Sequence, residues 1–185
     1  MEVYSSHGAS EYQGNPRPLR HESSDAMKYM QGALASGIKF GVIGSTDNHD
    51  TKPGRSMSVD YPGGLAGIWA TELTREAVWD AFWNYSTFGT SIDRIYLQYT
   101  MNGEPMGSTL STDSVDINAY VIGKTDNVTA ELIRNNVVIQ SYQTSNGVLD
   151  INFAENPGSG EHYYYFRITQ DNGEQAWSTP IWVNN

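Results

Sequence analysis

The chain has no cysteine among its 185 residues, which excludes disulfide scaffolds, thiolate metal sites and cysteine nucleophiles. It also lacks any apolar run of about eighteen residues, so no segment is expected to cross a membrane as a helix. Basic residues are scarce: 11 Lys+Arg against 21 Asp+Glu give a net charge of −10. A protein that grips a phosphate backbone needs a basic face, so nucleic acid is not an expected partner. The opening residues MEVYSSHGAS have neither a basic start nor an apolar stretch, and no signal peptide is expected there. Aromatic residues, by contrast, are plentiful. Twelve Tyr and five Trp are too many for a disordered chain and call for a packed core.

The pattern changes near residue 92. Before it, 2–6 reads as a short strand and 8–21 as a loop rich in Gly, Asn and Pro. A helix is expected from about Asp25, capped by Ser23 or Ser24, with Met27, Met30 and Leu34 on one face and Gly37 ending it. IKFGVIG (38–44) follows, an apolar run without alternation, as in a strand buried on both faces. Helix, buried strand and then the loop STDNHDTKPG make the rhythm of an α/β unit, whose chemistry gathers at the C-terminal ends of strands. Residues 51–67 read as Gly/Pro-rich loop interrupted at Ser56–Val59. A second helix is expected from the cap Thr74 through Tyr85, with Ala77, Val78, Ala81, Phe82 and Tyr85 facing the core and Trp79 and Trp83 widening the stripe toward a second buried surface.

From Asp93 onward, strands recur every eight to twelve residues: 94–100, 115–122, 127–135, 137–144, 148–154, 162–170 and 178–184. Asn102-Gly103, Asn135-Asn136, Asn146-Gly147 and Asn172-Gly173 supply turn chemistry between them. This reads as an immunoglobulin-like antiparallel sandwich, so the chain divides into 1–92 and 93–185. The second part is the more acidic.

The densest cluster of reactive side chains is Ser45-Thr46-Asp47-Asn48-His49-Asp50. If the preceding strand ran on through it, Asp47 and His49 would point the same way. Carboxylate and imidazole together would then grip a divalent metal such as Zn or Mn; the alternative is a turn built by Asp47 or Asn48 with a solvated His49. His7, among small neighbours at the end of the first strand, is a further candidate or simply part of a tight turn. Glu2 faces either a metal cluster or solvent. His21 and His162 read as structural, and so does the run Tyr163–Tyr165, as a strand covered on two faces. No Ser has the Gly-x-Ser-x-Gly context of a hydrolase nucleophile.

Four blocks, EVYSSHGASEY, ALASGIKFGVIGSTDNHDTKPG, GGLAGIWATELTREAVWDAFWN and STFGTSIDRIYLQYTMNGEPMGS, together resemble one branch of the PHP (polymerase and histidinol phosphatase) superfamily. The likeness covers residues 1 to about 110 and the sandwich more loosely. It implies an α+β fold: the C-terminal fragment of a β/α (PHP-type) barrel over 1–92, then the sandwich over 93–185. It further implies that Asp47 and His49 are the last metal-binding motif of the barrel and His7 a ligand from a preceding strand, with Glu2 nearby. The chain departs from the family pattern in lacking the His-x-His motif and the other His and Glu ligands, and in having Tyr85 and Ile92 where a basic residue and a Gly are usual.

The resemblance thus leads to an expected parent protein that is a metal-dependent hydrolase of small phosphorylated substrates, using Zn, Mn or Fe, of which this chain is a part with little turnover alone. The rival expectation is a non-catalytic β-sandwich interaction or packing module with an α/β remnant. Open strand edges and helix faces in 1–92 predict self-association as a homodimer. The sandwich and the low Lys content lean toward a periplasmic or secreted location.

Overall fold

The structure, a computed structural model, describes residues 1–49 and 63–185. The expected loop at 51–62, with Ser56–Val59, and Asp50 lie outside the described residues. The chain opens with β1 (Glu2–Ser5) and β2 (Gly8–Ala9), a 3-10 turn at Ala26–Lys28, α1 (Met30–Ala35) and β3 (Ile43–Gly44). β4 (Leu65–Ile68), α2 (Arg75–Trp83) and β5 (Thr87–Thr90) follow. The remaining strands are β6 (Tyr96–Met101), β7 (Glu104–Pro105), β8 (Thr109–Ser111), β9 (Val115–Ile122), β10 (Val128–Arg134), β11 (Val137–Thr144), β12 (Val148–Glu155), β13 (Glu161–Gln170), β14 (Gln175–Ser178) and β15 (Ile181–Asn184).

Local sequence chemistry accounts for the elements that are regular. β9 alternates strictly between buried and exposed residues along VDINAYVI, the period of a strand with one wet face. Asn102-Gly103 and Asn135-Asn136 all have positive φ, the backbone of a two-residue hairpin turn. The first helix is shorter than expected and split in two. Asp25, rather than Ser23 or Ser24, caps its 3-10 turn by accepting from the Met27 N–H at 3.0 Å. Thr74 caps α2 as expected, through the Ala77 N–H.

The strands form three sheets. β12-β9-β6-β7 make a four-stranded antiparallel sheet, and β11-β10-β13-β14-β5-β4, with β15 and β8, an eight-stranded one. These two pack face to face. Leu97, Tyr99, Ile117, Val121 and Ile151 from the smaller sheet meet Leu132, Tyr164, Phe166, Ile168 and Ile181 from the larger. The third sheet, β2-β1-β3, lies with α1 on the opposite face of the larger one, where Val3, Tyr4, Met30, Leu34 and Val42 pack against Ile133, Tyr165, Trp177 and Trp182. The eight-stranded sheet is therefore a middle layer. This explains why β13 shows no clean alternation along YYYFRI: Tyr164 and Phe166 face the sandwich core while Tyr165 faces the flank.

This architecture corrects the expectation of an α+β fold built on a PHP-type barrel fragment. Strands take 45% and helices 10% of the described residues, and among those residues no sheet closes into a barrel. Parallel pairing among the described strands is confined to β1 with β3 and β15 with β8. The physical reason lies in short elements. α1 has 6 residues, and the stretch 38–44 forms strand only at Ile43–Gly44, so neither can build a parallel crossover layer. A β-sandwich is present, but not with the expected strands: the run 178–184 is broken into β14 and β15, and β4 and β5 join its larger sheet. β5, in the first part of the sequence division, pairs with β14 in the second, so one sheet runs across residue 92.

Two devices fasten the flank to the middle layer. Glycines let backbones touch: a Cβ on Gly44 would lie 2.6 Å from the carbonyl oxygens of Leu65 and Thr90, and one on Gly89 would lie 2.7 Å from Val3 Cγ1. The second device is a buried carboxylate. Glu11 is fully buried. Its Oε1 accepts from the Tyr165 hydroxyl at 2.7 Å and Arg167 Nη1 at 2.9 Å, and its Oε2 from Trp177 Nε1 at 2.7 Å and Asn15 Nδ2 at 3.3 Å. Arg167 Nε also donates to Glu131 at 2.7 Å. Burial of Tyr165 pushes its pKa well above the usual value, so the hydroxyl stays protonated and donates. A buried charge is tolerable only when paired and hydrogen-bonded in this way.

Candidate metal centre

β1 and β2 are joined by Ser6-His7, with Ser5 paired to Gly8. The turn is tight because Gly8, at φ 106°, lies where a Cβ would meet the Pro18 carbonyl. The His7 N–H donates to Ser5 Oγ at 3.3 Å and its carbonyl accepts from the Arg20 N–H at 2.8 Å. Alongside, the chain leaving β3 continues the parallel register: the Ser45 N–H donates to the Tyr4 carbonyl at 3.0 Å and the Ser6 N–H to the Thr46 carbonyl at 3.4 Å. This pairing carries Asp47 to the His7 turn.

His7 Nε2 lies 3.0 Å from Asp47 Oδ2, and His49 Nε2 lies 3.3 Å from Asp47 Oδ1. One donor atom from each of the three residues falls within 4.8 Å of the others. Among the described residues this is the one group of His and carboxylates so arranged. The geometry does not come from strand alternation. The strand stops at Gly44, and Asp47 sits at φ 49°, in the left-handed region that a short polar side chain tolerates. A turn, not a straight strand end, puts one carboxylate between two imidazoles. Two imidazole nitrogens and a carboxylate suit Zn, Mn or Fe by donor chemistry, and three ligands leave coordination positions open.

Glu2 is not part of this group: its carboxylate Oε1 accepts from Ser45 Oγ. His162 lies on the sandwich, with Asn135 Nδ2 at 3.0 Å from its Nδ1. The sequence reading missed the surroundings of His7. A wide groove of about 390 Å³ beside it is lined by Tyr4, Ser6, Arg17 and Arg20. Arg17 is engaged there by Glu174 at 2.7 Å and by the Tyr4 hydroxyl at 2.8 Å. The Arg17-Pro18-Leu19-Arg20 stretch was the available signal, hidden in a segment read as plain loop.

Comparison with known proteins gives relatives but no activity. A family model described as a protein of unknown function (DUF3604) matches residues 54–100. An uncharacterised protein of Chlamydia muridarum is 27% identical over 211 residues, covering 100% of this chain and 34% of that protein. One from Chlamydia pneumoniae is 29% identical over 210 residues with the same coverage. The chain thus spans about a third of the length of these curated relatives. Among solved structures, the fibronectin(III)-like modules of Clostridium thermocellum CbhA align at a TM-score of 0.33 and 19% identity, over 46% of this chain and 94% of that one. A CARDB domain from Pyrococcus furiosus, solved with di-metal ions, aligns at 0.32 and 8% identity, over 49% of this chain and 94% of that one. Likeness at these scores carries no further argument. What corrects the PHP resemblance is the architecture, three sheets of which none closes into a barrel among the described residues, while the relatives, themselves uncharacterised, add no activity. Among the described residues, no helix is long and apolar enough to cross a membrane.

Proposed function

We propose that the chain is a β-sandwich interaction module that presents α2, the helix between β4 and β5, to a second copy of itself. One observation carries this reading. Instead of facing a core, α2 buries only Ala81, and Trp79 and Trp83 are 61% and 68% exposed. The two rings pack on each other edge to face at 5.9 Å, and Phe82 and Leu73 are exposed as well. Two large rings in contact and left exposed on one helix suit an interaction surface. A second copy offers the same tryptophan pair, so a two-fold contact would cover both at once. Sedimentation velocity across a concentration series tests this. The chain should shift from monomer to dimer as concentration rises, and the combined W79S and W83S variant should stay monomeric. A wild-type monomer throughout, or a variant that dimerises equally, contradicts the reading.

A second reading is favoured by the His7, Asp47 and His49 group and by Arg20 beside it: the longer protein hydrolyses phosphate esters at a metal held there. A divalent metal would supply an activated water and offset charge on phosphoryl oxygens. The chain's own part would be to hold the metal through two imidazoles and one carboxylate, and to offer the Arg20 guanidinium to a phosphate in the groove.

A further inference from the structure

The outward face of the four-stranded sheet is organised in rows that the register makes explicit. Tyr96 lies opposite Ile122, which lies opposite Val148; Gln98, Tyr120 and Asp150 form the next row, and Thr100, Asn118 and Asn152 the one after. At strand geometry these rows are about 6.7 Å apart. The face thus grades from aromatic and aliphatic at one end to amide, hydroxyl and carboxylate at the other. Its middle is a shallow depression of about 220 Å³ lined by Gln98, Thr100, Asn118, Tyr120 and Asp150.

Two features separate this face from an ordinary wet one. An aromatic ladder runs from inside the protein to its centre: Phe88 to Trp69 at 6.5 Å, Trp69 to Tyr96 at 5.2 Å and Tyr96 to Tyr120 at 6.1 Å. Trp69 Nε1 anchors the ladder on the Leu97 carbonyl at 3.0 Å. The exposed rings are therefore held in place before any ligand arrives. The polar groups, meanwhile, keep capacity to spare. Gln98 Oε1 accepts from the Tyr96 hydroxyl at 3.3 Å and Asn118 donates weakly to Asp116 at 3.5 Å, while Asp150, Asn152 and Thr100 use none of their side-chain capacity on the described residues.

No Lys or Arg lies among the outward residues of β6, β9 and β12, whereas Asp116 and Asp150 do. Anionic ligands are repelled, and nucleic acid with them. A ligand that is neutral, carries an apolar face and offers many paired hydroxyls satisfies every group present. The C–H face of a pyranose lies against Tyr96 or Tyr120, while amide and carboxylate side chains bind neighbouring hydroxyls. We propose that this face, built on Tyr96, Gln98, Asn118, Tyr120 and Asp150, is a binding site for a neutral oligosaccharide. The site is independent of α2 and of the His7 group.

Affinity electrophoresis in gels containing soluble neutral polysaccharides (hydroxyethyl cellulose, xylan, glucomannan, amylose and glycol chitin) tests it, with polygalacturonate as the anionic control. The expected result is retardation by at least one neutral polymer and none by polygalacturonate. Y120A and N118A should each weaken the effect about tenfold, equivalent to about 1.4 kcal/mol, with unchanged unfolding midpoints because both side chains are exposed. The W79S and W83S variant should be retarded like wild type. No retardation by any neutral polymer overturns the proposal, as does retardation that survives Y120A and N118A or is lost with the α2 tryptophans.

Discussion

Glu11→Ala is expected to lower the unfolding free energy by about 3–5 kcal/mol, the cost of removing one partner from a buried, hydrogen-bonded charge network. At this chain length that corresponds to a melting temperature lower by roughly 10 °C. The reasoning rests on what is left behind. Tyr165 and Trp177 would each keep a buried donor that had been aimed at Glu11, and Arg167 would keep Glu131 as its carboxylate partner and Tyr12 beneath its guanidinium. Water cannot readily repair the loss, because Glu11 is fully buried between the flank and the middle sheet. Replacing both charges, Glu11→Leu with Arg167→Met, should cost less than the two single changes added together, since it strands fewer polar groups. Urea denaturation of the wild type, Glu11→Ala, the two single replacements and the double variant measures this. A loss below about 1 kcal/mol for Glu11→Ala would mean that the network is not what ties the flank to the sandwich.

Asp47→Ala should abolish metal binding at the His7 turn, lowering zinc affinity by at least about 100-fold, beyond the effect usual for residues that only support a ligand. Among the described residues the carboxylate is the one side chain touching both imidazoles, so its loss removes the ligand between the two histidines. Glu2→Ala should leave affinity unchanged, because Glu2 is occupied with Ser45. Competition titration against a chelating dye gives the affinities. In the wild type, zinc at about 100 times its dissociation constant should add about 2.7 kcal/mol of stability, and a chelator should remove it. Equal zinc affinity in wild type and Asp47→Ala would dismiss the site. Metal-dependent release of phosphate from p-nitrophenyl phosphate, lost in Asp47→Ala, would move the account from interaction module to hydrolase.

Much of the sandwich was legible because its strands obey one simple period. β9 and β11 begin and end where alternation and turn residues place them, and Asn102-Gly103 marks its hairpin through backbone that few other residues adopt. β13 could be read as covered on both faces from its unbroken apolar run. Other strands of the middle layer and the flank were harder. β5, with sequence TFGT, and β14 have little pattern of their own, and pairing with each other and with β4 and β13 is what makes them strands. Glu11 carries no sequence mark of burial, since a carboxylate in a loop reads as solvated until its partners, far along the chain, are known. α2 misled in the opposite direction: two tryptophans four residues apart on a helix ask for a covering surface, and the described residues supply none. The resemblance to a barrel family misled for a related reason, because short motifs around Asp47 and His49 describe a turn and its donors but not the layers behind them.

Hydrogen exchange of α2 as a function of concentration tests the interaction reading most directly, because it reports the helix itself rather than the size of the particle. In dilute solution the amides of residues 75–83 should exchange readily, as expected for a short helix with one buried side chain. In concentrated solution they should slow by about tenfold or more as the second copy covers Trp79 and Trp83, while the outward face of β9 stays unchanged. Exchange in α2 that is the same at every concentration would contradict the account.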